Sequence, residues 1–353
     1  MSDKANKNDV VLDVKDLVVK FSLRGRILKA IREVSLELYR GESLAIVGES
    51  GSGKSVLTKT FIGMLDGNGF IDNGSIIYNG RDLTKIKKEK EWLEIRGGEI
   101  AMVFQDPMTS LNPLKTIREQ IVEAITLHNK DLTPAEAKAK AIEYIRDVGI
   151  ENPEKRGGQF PHEFSGGMRQ RVVIAIALAC NPKILICDEP TTALDVTIQA
   201  QILGLLKDLK EKYHLTIIYI THDLGVVAAV ADRVAVMYAG DIIEIGGVRD
   251  VFYNAQHPYT WALLSSLPQL GVKGEKLFSI KGTPPNLFFE VHGDAFAPRN
   301  PNALRIDFLE RPPYFAVPGS ETHKARTWLL DPRSPKIEPP SVIKLIGAHR
   351  HAV

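Results

Sequence analysis

Gly48-Glu49-Ser50-Gly51-Ser52-Gly53-Lys54-Ser55 is entered from an apolar run at 44–47 and left through a helix-forming stretch at 56–65. It fits G-x-x-x-x-G-K-[ST], and a strand before with a helix after is the context that a phosphate-binding loop requires. Its glycines let successive backbone N–H groups curl around a phosphate, and the following helix N-terminus adds partial positive charge. Lys54 is placed to bridge β- and γ-phosphates, and Ser55 to offer its hydroxyl to Mg²⁺.

Three further apolar runs, at 100–104, 184–187 and 215–220, have the same continuous character. Strands of that kind are buried on both faces, as in a parallel sheet covered by helices. Each run ends at a polar or glycine-rich point: Gly48, Gln105, Asp188 with Glu189, and Thr221 with His222. Ligands of open α/β sheets bind at the carboxyl ends of strands, so four such ends define one rim. There Asp188 is placed to hold Mg²⁺ through water and Glu189 to polarise an attacking water.

Outward from this centre, residues 10–40 alternate apolar and polar, with Val11, Val14, Leu17 and Val19 and then Val34, Leu36 and Leu38. That pattern predicts a small antiparallel β subdomain. Thr133-Pro134-Ala135-Glu136 reads as a capping box opening a helix that runs to about Gly149. Further helices are expected from Ser165 to Pro182 and from Asp195 to Lys212, the latter with Ile198, Ile202, Leu205 and Leu209 on one face. Beyond Leu267 the pattern breaks into Gly, scattered aromatics and the pairs Pro284-Pro285, Pro312-Pro313 and Pro339-Pro340, which predicts a loop-rich extension.

Composition sets the outer limits. The 353 residues are 44% hydrophobic and 25% charged, and 45 basic against 43 acidic residues leave a formal net charge of +2. A nucleic-acid footprint would be strongly basic, so no nucleic-acid partner is expected. No run approaches the roughly 18 apolar residues of a membrane span, and the N-terminus lacks a signal-peptide core, which predicts a cytoplasmic chain. Cys180 and Cys187 sit in apolar stretches without a C-x-x-C arrangement and read as reduced, buried thiols.

Phe164-Ser165-Gly166-Gly167-Met168-Arg169-Gln170 reads as a serine-capped helix start with flexible glycines. The same serine and bare backbone also make an anion site, able to grip a phosphate on another subunit. His222 alone would read as a packed or solvent-facing residue, and core packing accounts for Phe21 nearly as well as any ligand contact does.

Taken in order, these motifs resemble the nucleotide-binding subunits of ABC transporters. The correspondence comprises the phosphate loop at 48–55, a glutamine loop at Gln105, the signature Ser165-Gly166-Gly167 with Met168 where glutamine is more frequent, the Asp188-Glu189 strand, the D-loop Ala193-Leu194-Asp195 and the switch histidine His222. The resemblance implies an α/β fold: a RecA-like parallel-sheet core with an N-terminal antiparallel β subdomain, an inserted helical subdomain and a loop-rich C-terminal extension. ATP and Mg²⁺ are the implied ligands. Nucleotide would be held by Phe21, Gly48, Glu49, Ser50, Gly51, Ser52, Gly53, Lys54, Ser55 and Val56, and Mg²⁺ by Ser55, Gln105 and Asp188. Glu189, His222 and Gln105 would be catalytic, His222 by contacting the γ-phosphate and positioning Glu189. Ser165, Gly166, Gly167 and Met168 would act in trans on a partner's nucleotide, with Asp195 in the D-loop.

Three stretches sharpen the likeness: 104–113, His257-Pro258-Tyr259-Thr260 together with Leu263-Leu264 and Ser266-Leu267-Pro268, and Gly282-Thr283-Pro284-Pro285. They resemble the ATPase subunits of the oligopeptide, dipeptide and nickel permeases. The implied domains are an ATPase at 1–268, with a helical subdomain at about 107–182, and an extension at 269–353. The implied function is ATP hydrolysis that energises oligopeptide import, with dipeptide or nickel import as alternatives. Implied partners are a second, related ATPase subunit, two integral-membrane permease subunits and, indirectly, an extracellular peptide-binding protein, which puts the chain at the cytoplasmic face of the membrane. A soluble non-transport ABC ATPase would carry a long coiled-coil insertion or a second cassette, and a regulatory subunit would lack Glu189 or His222. The stretch 293–301 resembles one that in many relatives carries two cysteines of an iron–sulfur site, but here Asp294 and Asn300 stand at those positions. A cluster needs four thiolates, so none is expected.

Overall fold

The computed structural model describes residues 9–192, 194–267 and 280–348. Ala193 of the D-loop triplet and the expected domain boundary at 268/269 lie outside the described residues.

The strands are β1 (Val10–Leu23), β2 (Arg26–Tyr39), β3 (Ser43–Val47), β4 (Gly69–Tyr78), β5 (Arg81–Asp82), β6 (Ile100–Val103), β7 (Ile184–Asp188), β8 (Thr216–Thr221), β9 (Arg233–Tyr238), β10 (Asp241–Gly247), β11 (Phe315–Ala316) and β12 (Lys324–Ala325). They form two sheets: an antiparallel one in the order β2-β1-β4-β5, and a larger one in the order β11-β12-β10-β9-β3-β8-β7-β6. Within the larger sheet β9, β3, β8, β7 and β6 run parallel, while β10 returns antiparallel to β9.

The continuous apolar runs have a direct structural cause, because alternate residues of each central strand enter different cores. Ala45, Val47, Leu185, Cys187, Ile217, Tyr219, Val234 and Val236 face a core shared with the helices. Leu44, Ile46, Ile184, Ile186, Ile218, Ile220, Ala235 and Met237 face a second core completed by the antiparallel sheet. Neither face meets water, so neither can carry the polar half of an alternating pattern.

The capping box at Thr133 and Glu136 starts the helix Pro134–Asp147. It packs with the helices Ile117–His128 and Gly166–Ala179 into a helical layer. Ser165 caps Gly166–Ala179, accepting a bond from the Met168 N–H, and Asp195 caps Val196–Tyr213 by accepting from the Ile198 N–H. The helix that leaves the phosphate loop is shorter than expected, Lys54–Phe61. Its end is closed by a bond from the Met64 N–H to the Lys59 carbonyl at 2.9 Å, which turns the chain away before Leu65. Of the two cysteines, Cys187 is buried as expected but Cys180 only partly so; burial still pushes the Cys180 thiol up to about 11.

The extension is loop-rich, yet it is built into the ATPase sheet. β12 pairs antiparallel with β10, and β11 with β12. His323 meets Glu244 at 2.7 Å with both side chains fully buried, and Arg311 reaches back to Asp241 and Glu33. Asp294 and Asn300 are buried within it. The Asp294 carboxylate accepts the Phe296 N–H at 2.9 Å, and the Asn300 side-chain oxygen accepts the Asn302 N–H at 3.0 Å.

Candidate functional site

A cavity of about 1040 Å³ opens at the carboxyl ends of β3, β7 and β8. Among its lining residues are Phe21, most of the phosphate loop, Gln105, Glu189 and His222. Thus the sheet gathers at one rim residues that lie far apart in sequence. Ser165, Gly166, Gly167, Met168 and Asp195 do not line this cavity.

The loop is shaped by backbone approach. A Cβ at Gly48 would stand 2.1 Å from the Met237 carbonyl oxygen, on the neighbouring strand β9. Only a bare backbone fits there. Inside the loop, the Lys54 ammonium donates to the Gly48 carbonyl at 2.8 Å and the Glu49 carbonyl at 2.9 Å. Burial draws its pKa below the usual lysine range. The ammonium is thus desolvated and held by neutral oxygens, which an arriving phosphate can replace with a charge-assisted contact. Gly48→Ala is expected to displace the loop, lowering stability by an amount typical of overpacking, about 1–3 kcal/mol, and weakening nucleotide binding. Thermal unfolding and binding of a fluorescent ATP analogue measure both.

Burial pushes the Asp188 carboxyl up, while a hydrogen bond from Ser55 and the charge of Lys54 act in the opposite sense. A buried carboxylate beside a hydroxyl is an all-oxygen donor set of the kind that suits a hard divalent cation. Glu189 is the most constrained of the acidic groups. Its backbone has φ 45, unusual for a residue with a side chain, and its N–H is pinned to the Ile220 carbonyl at 2.9 Å. One carboxylate oxygen accepts from the Gln105 amide at 2.7 Å and the Thr192 hydroxyl at 2.9 Å. The other lies 3.1 Å from His222 Nδ1. The imidazole is exposed and the carboxylate mostly shielded, at 60% and 17%. Such a carboxylate can orient a water at the lip of the cavity.

Phe21 is on the wall but largely buried, with its ring against Gly69. Two features carried no sequence signal. Thr192 is a plain hydroxyl three residues past Glu189, legible only once the turn is known. Arg299 reaches Glu49 from the far end of the chain at 2.8 Å.

Among the described residues no helix is long and apolar enough to cross a membrane. Residues 31–192 match the ABC transporter family model, and residues 243–306 match the model of the oligopeptide/dipeptide transporter C-terminal region. The oligopeptide transport ATP-binding protein AmiE of Streptococcus pneumoniae is 60% identical, the match covering 96% of this chain and 94% of that protein. The dipeptide transport ATP-binding protein DppD of Lactococcus lactis is 56% identical over 93% of each chain. The oligopeptide transport ATP-binding protein OppD of Bacillus subtilis is also 56% identical, over 95% of this chain and 93% of that protein. Among solved structures, a dimeric ATP-binding cassette in a post-hydrolysis state with ADP and Pi superposes with TM-score 0.60 at 28% identity, covering 67% of this chain and 98% of that one. A Clostridium perfringens subunit of the ABC transporter complex cbiONQ gives TM-score 0.61 at 29% identity, over 70% and 92%.

Proposed function

This chain belongs to the ATP-binding subunits of ABC transporters, and on that premise we propose that it binds and hydrolyses ATP to energise peptide import through separate permease subunits. Oligopeptides are the cargo favoured here over dipeptides or nickel, on the names of AmiE and OppD and their high identity to this chain. The observation that carries the hydrolytic reading is Glu189, a shielded carboxylate held by Gln105, Thr192 and His222 at the mouth of the cavity that the phosphate loop lines.

In this reading residues 48–56 cradle the phosphates, Lys54 exchanges its loop carbonyls for β- and γ-oxygens, and Phe21 stacks on the base. Glu189 orients the attacking water, Gln105 and His222 hold Glu189 in place, and His222 contacts the γ-phosphate. Ser55, Asp188 and the amide oxygen of Gln105 would hold Mg²⁺, which when bound neutralises charge on the transferred phosphoryl group. Ser165, Gly166, Gly167 and Met168 serve the nucleotide of a second, related ATPase subunit, with Asp195 at the junction. Their placement away from this chain's own cavity supports that arrangement. The ATPase unit spans 1–268 with its helical subdomain at 107–182, and 269–353 forms the extension.

Two permease subunits would dock beside the glutamine loop, where Met108 and Leu114 are exposed at 60% and 86%, on the cytoplasmic face of the membrane. The extracellular peptide-binding protein acts through the permease, and nucleic acid has no part. With only two cysteines in the chain, an iron–sulfur cluster would lack ligands.

Peptide-stimulated phosphate release from the complex reconstituted in vesicles tests the assignment, and a rate indifferent to peptide and permease would count against it. Lys54→Ala should weaken binding of an ATP analogue about tenfold, the scale of one lost hydrogen bond to a charged group. Unaltered affinity would remove Lys54 from the phosphate site.

A further inference from the structure

The extension reaches the nucleotide machinery at two places, gripping a phosphate-loop residue at one and lining the cavity at the other. Arg299 is the first. Its guanidinium is 6% exposed and grips the Glu49 carboxylate with two nitrogens, at 2.8 and 3.1 Å. Its remaining donors reach the Lys281 carbonyl at 2.9 Å and the Tyr238 hydroxyl at 3.1 Å. One side chain thereby ties the extension, strand β9 and the phosphate loop together. Tyr259, also within the C-terminal family region, accepts the Glu49 N–H on its hydroxyl at 2.8 Å. Tyr259, Tyr238 and Phe296 pack as one aromatic cluster, with centroids 4.5 to 5.4 Å apart.

Glu49 is therefore held at its N–H by Tyr259 and at its carboxylate by Arg299, while its carbonyl accepts Lys54. Any displacement of the extension is transmitted through a single residue to the lysine of the loop. At the second place, Pro285, Asn286, Leu287 and Phe288 line the same cavity as Phe21 and Leu28. That segment is fixed to β2 by a bond from the Lys29 N–H to the Leu287 carbonyl at 3.2 Å, and by Arg26 lying 4.7 Å over the Phe288 ring.

We infer that the C-terminal extension, together with the helix Pro258–Ser265 on which its Phe296 packs, is a working part of this chain's own ATP site, with Arg299 of the extension and Tyr259 of that helix as positioning residues that set the phosphate loop through Glu49. The inference rests on the ATP-site reading above. If it holds, docking of the extension and binding of nucleotide are coupled, and each must favour the other by the same factor. A merely structural ion pair would instead affect folding alone.

The test uses the full-length chain for binding and the reconstituted complex for kinetics. Arg299→Gln should weaken binding of a fluorescent ATP analogue about tenfold, the scale of a lost charged hydrogen bond, and raise KM while leaving kcat at saturating ATP within about twofold. Arg299→Lys should restore part of the loss. Arg299→Gln combined with Glu49→Gln should bind no worse than the weaker single variant, since both remove one contact. In wild type, ATP should slow hydrogen exchange in residues 280–299, and Arg299→Gln should abolish that protection. Should Arg299→Gln fail to fold, Tyr259→Phe keeps the aromatic cluster and removes only the hydroxyl on Glu49, and must then itself weaken ATP binding. Wild-type affinity in whichever variant folds, or fully additive effects of the Arg299 and Glu49 changes, would overturn the inference. A wild-type chain that bound no ATP would instead overturn the reading on which it rests.

Discussion

Glu189→Gln is expected to lower phosphate release from the reconstituted complex by about 10²-fold or more, the scale of losing a positioned general base, while ATP still binds. The hydrogen-bond arrangement makes this a clean test. An amide oxygen can accept from Gln105 and Thr192 as the carboxylate does, and the amide nitrogen can donate toward His222 Nδ1 when the other ring nitrogen carries the proton. Shape and contacts survive, and only the negative charge that orients water is removed. ATP should then hold the paired subunits closed, detectable as a nucleotide-dependent dimer by size exclusion. Turnover above a tenth of wild type would show that another group positions the water.

Gly166→Asp should lower turnover on a similar scale, about 10²-fold, because it puts a side chain and a negative charge where phosphate would meet the preorganised backbone donors, so that their contact is lost. The loss should fall on the partner subunit's nucleotide. The two signature glycines differ sharply as probes. A Cβ at Gly166 would have Leu194 Cδ2 as its nearest neighbour, at 3.6 Å, an ordinary contact, whereas one at Gly167 would lie 2.6 Å from Ile198 Cγ2. Gly166→Asp can therefore fold, and its defect reports on what meets the exposed helix start. With a photoreactive ATP analogue and a wild-type partner, the mutant chain should label normally through its own Lys54 loop while the complex fails to close. Loss of labelling confined to the mutant chain, with the partner's site still hydrolysing, would place the signature in cis.

The parts of this fold that were legible in the sequence share a local cause. Strands β3, β6, β7 and β8 are buried on both faces and so leave unbroken apolar runs, while the helix caps at Thr133, Ser165 and Asp195 are short-range hydrogen bonds. Strand β4 was hidden by Asn73-Gly74, a pair that ordinarily marks a turn. Here Gly74 takes φ 92 beside a register shift between β4 and β1, where a Cβ would stand 2.5 Å from the Lys15 carbonyl oxygen. Strand β9 and the return strand β10 also went unread, since what identifies them is pairing with β3 and with each other. At the candidate site, residues closing a strand were visible because the strand was. Arg299 and Tyr259 were not, since a contact to Glu49 across more than two hundred residues leaves no periodicity in the chain.

The strand that feeds the phosphate loop has a further consequence, which concerns the order in which the protein is made. β3 lies between β8 and β9, so its hydrogen-bonding edges stay open until residues 216–238 have left the ribosome. Long-range parallel pairing of this kind is slow, and open strand edges invite aggregation. During most of synthesis the nascent chain exposes four consecutive core residues, 44–47. The strand that carries the phosphate loop is thus among the last to be sheltered, and a ribosome stalled before β9 would release a fragment dependent on chaperones.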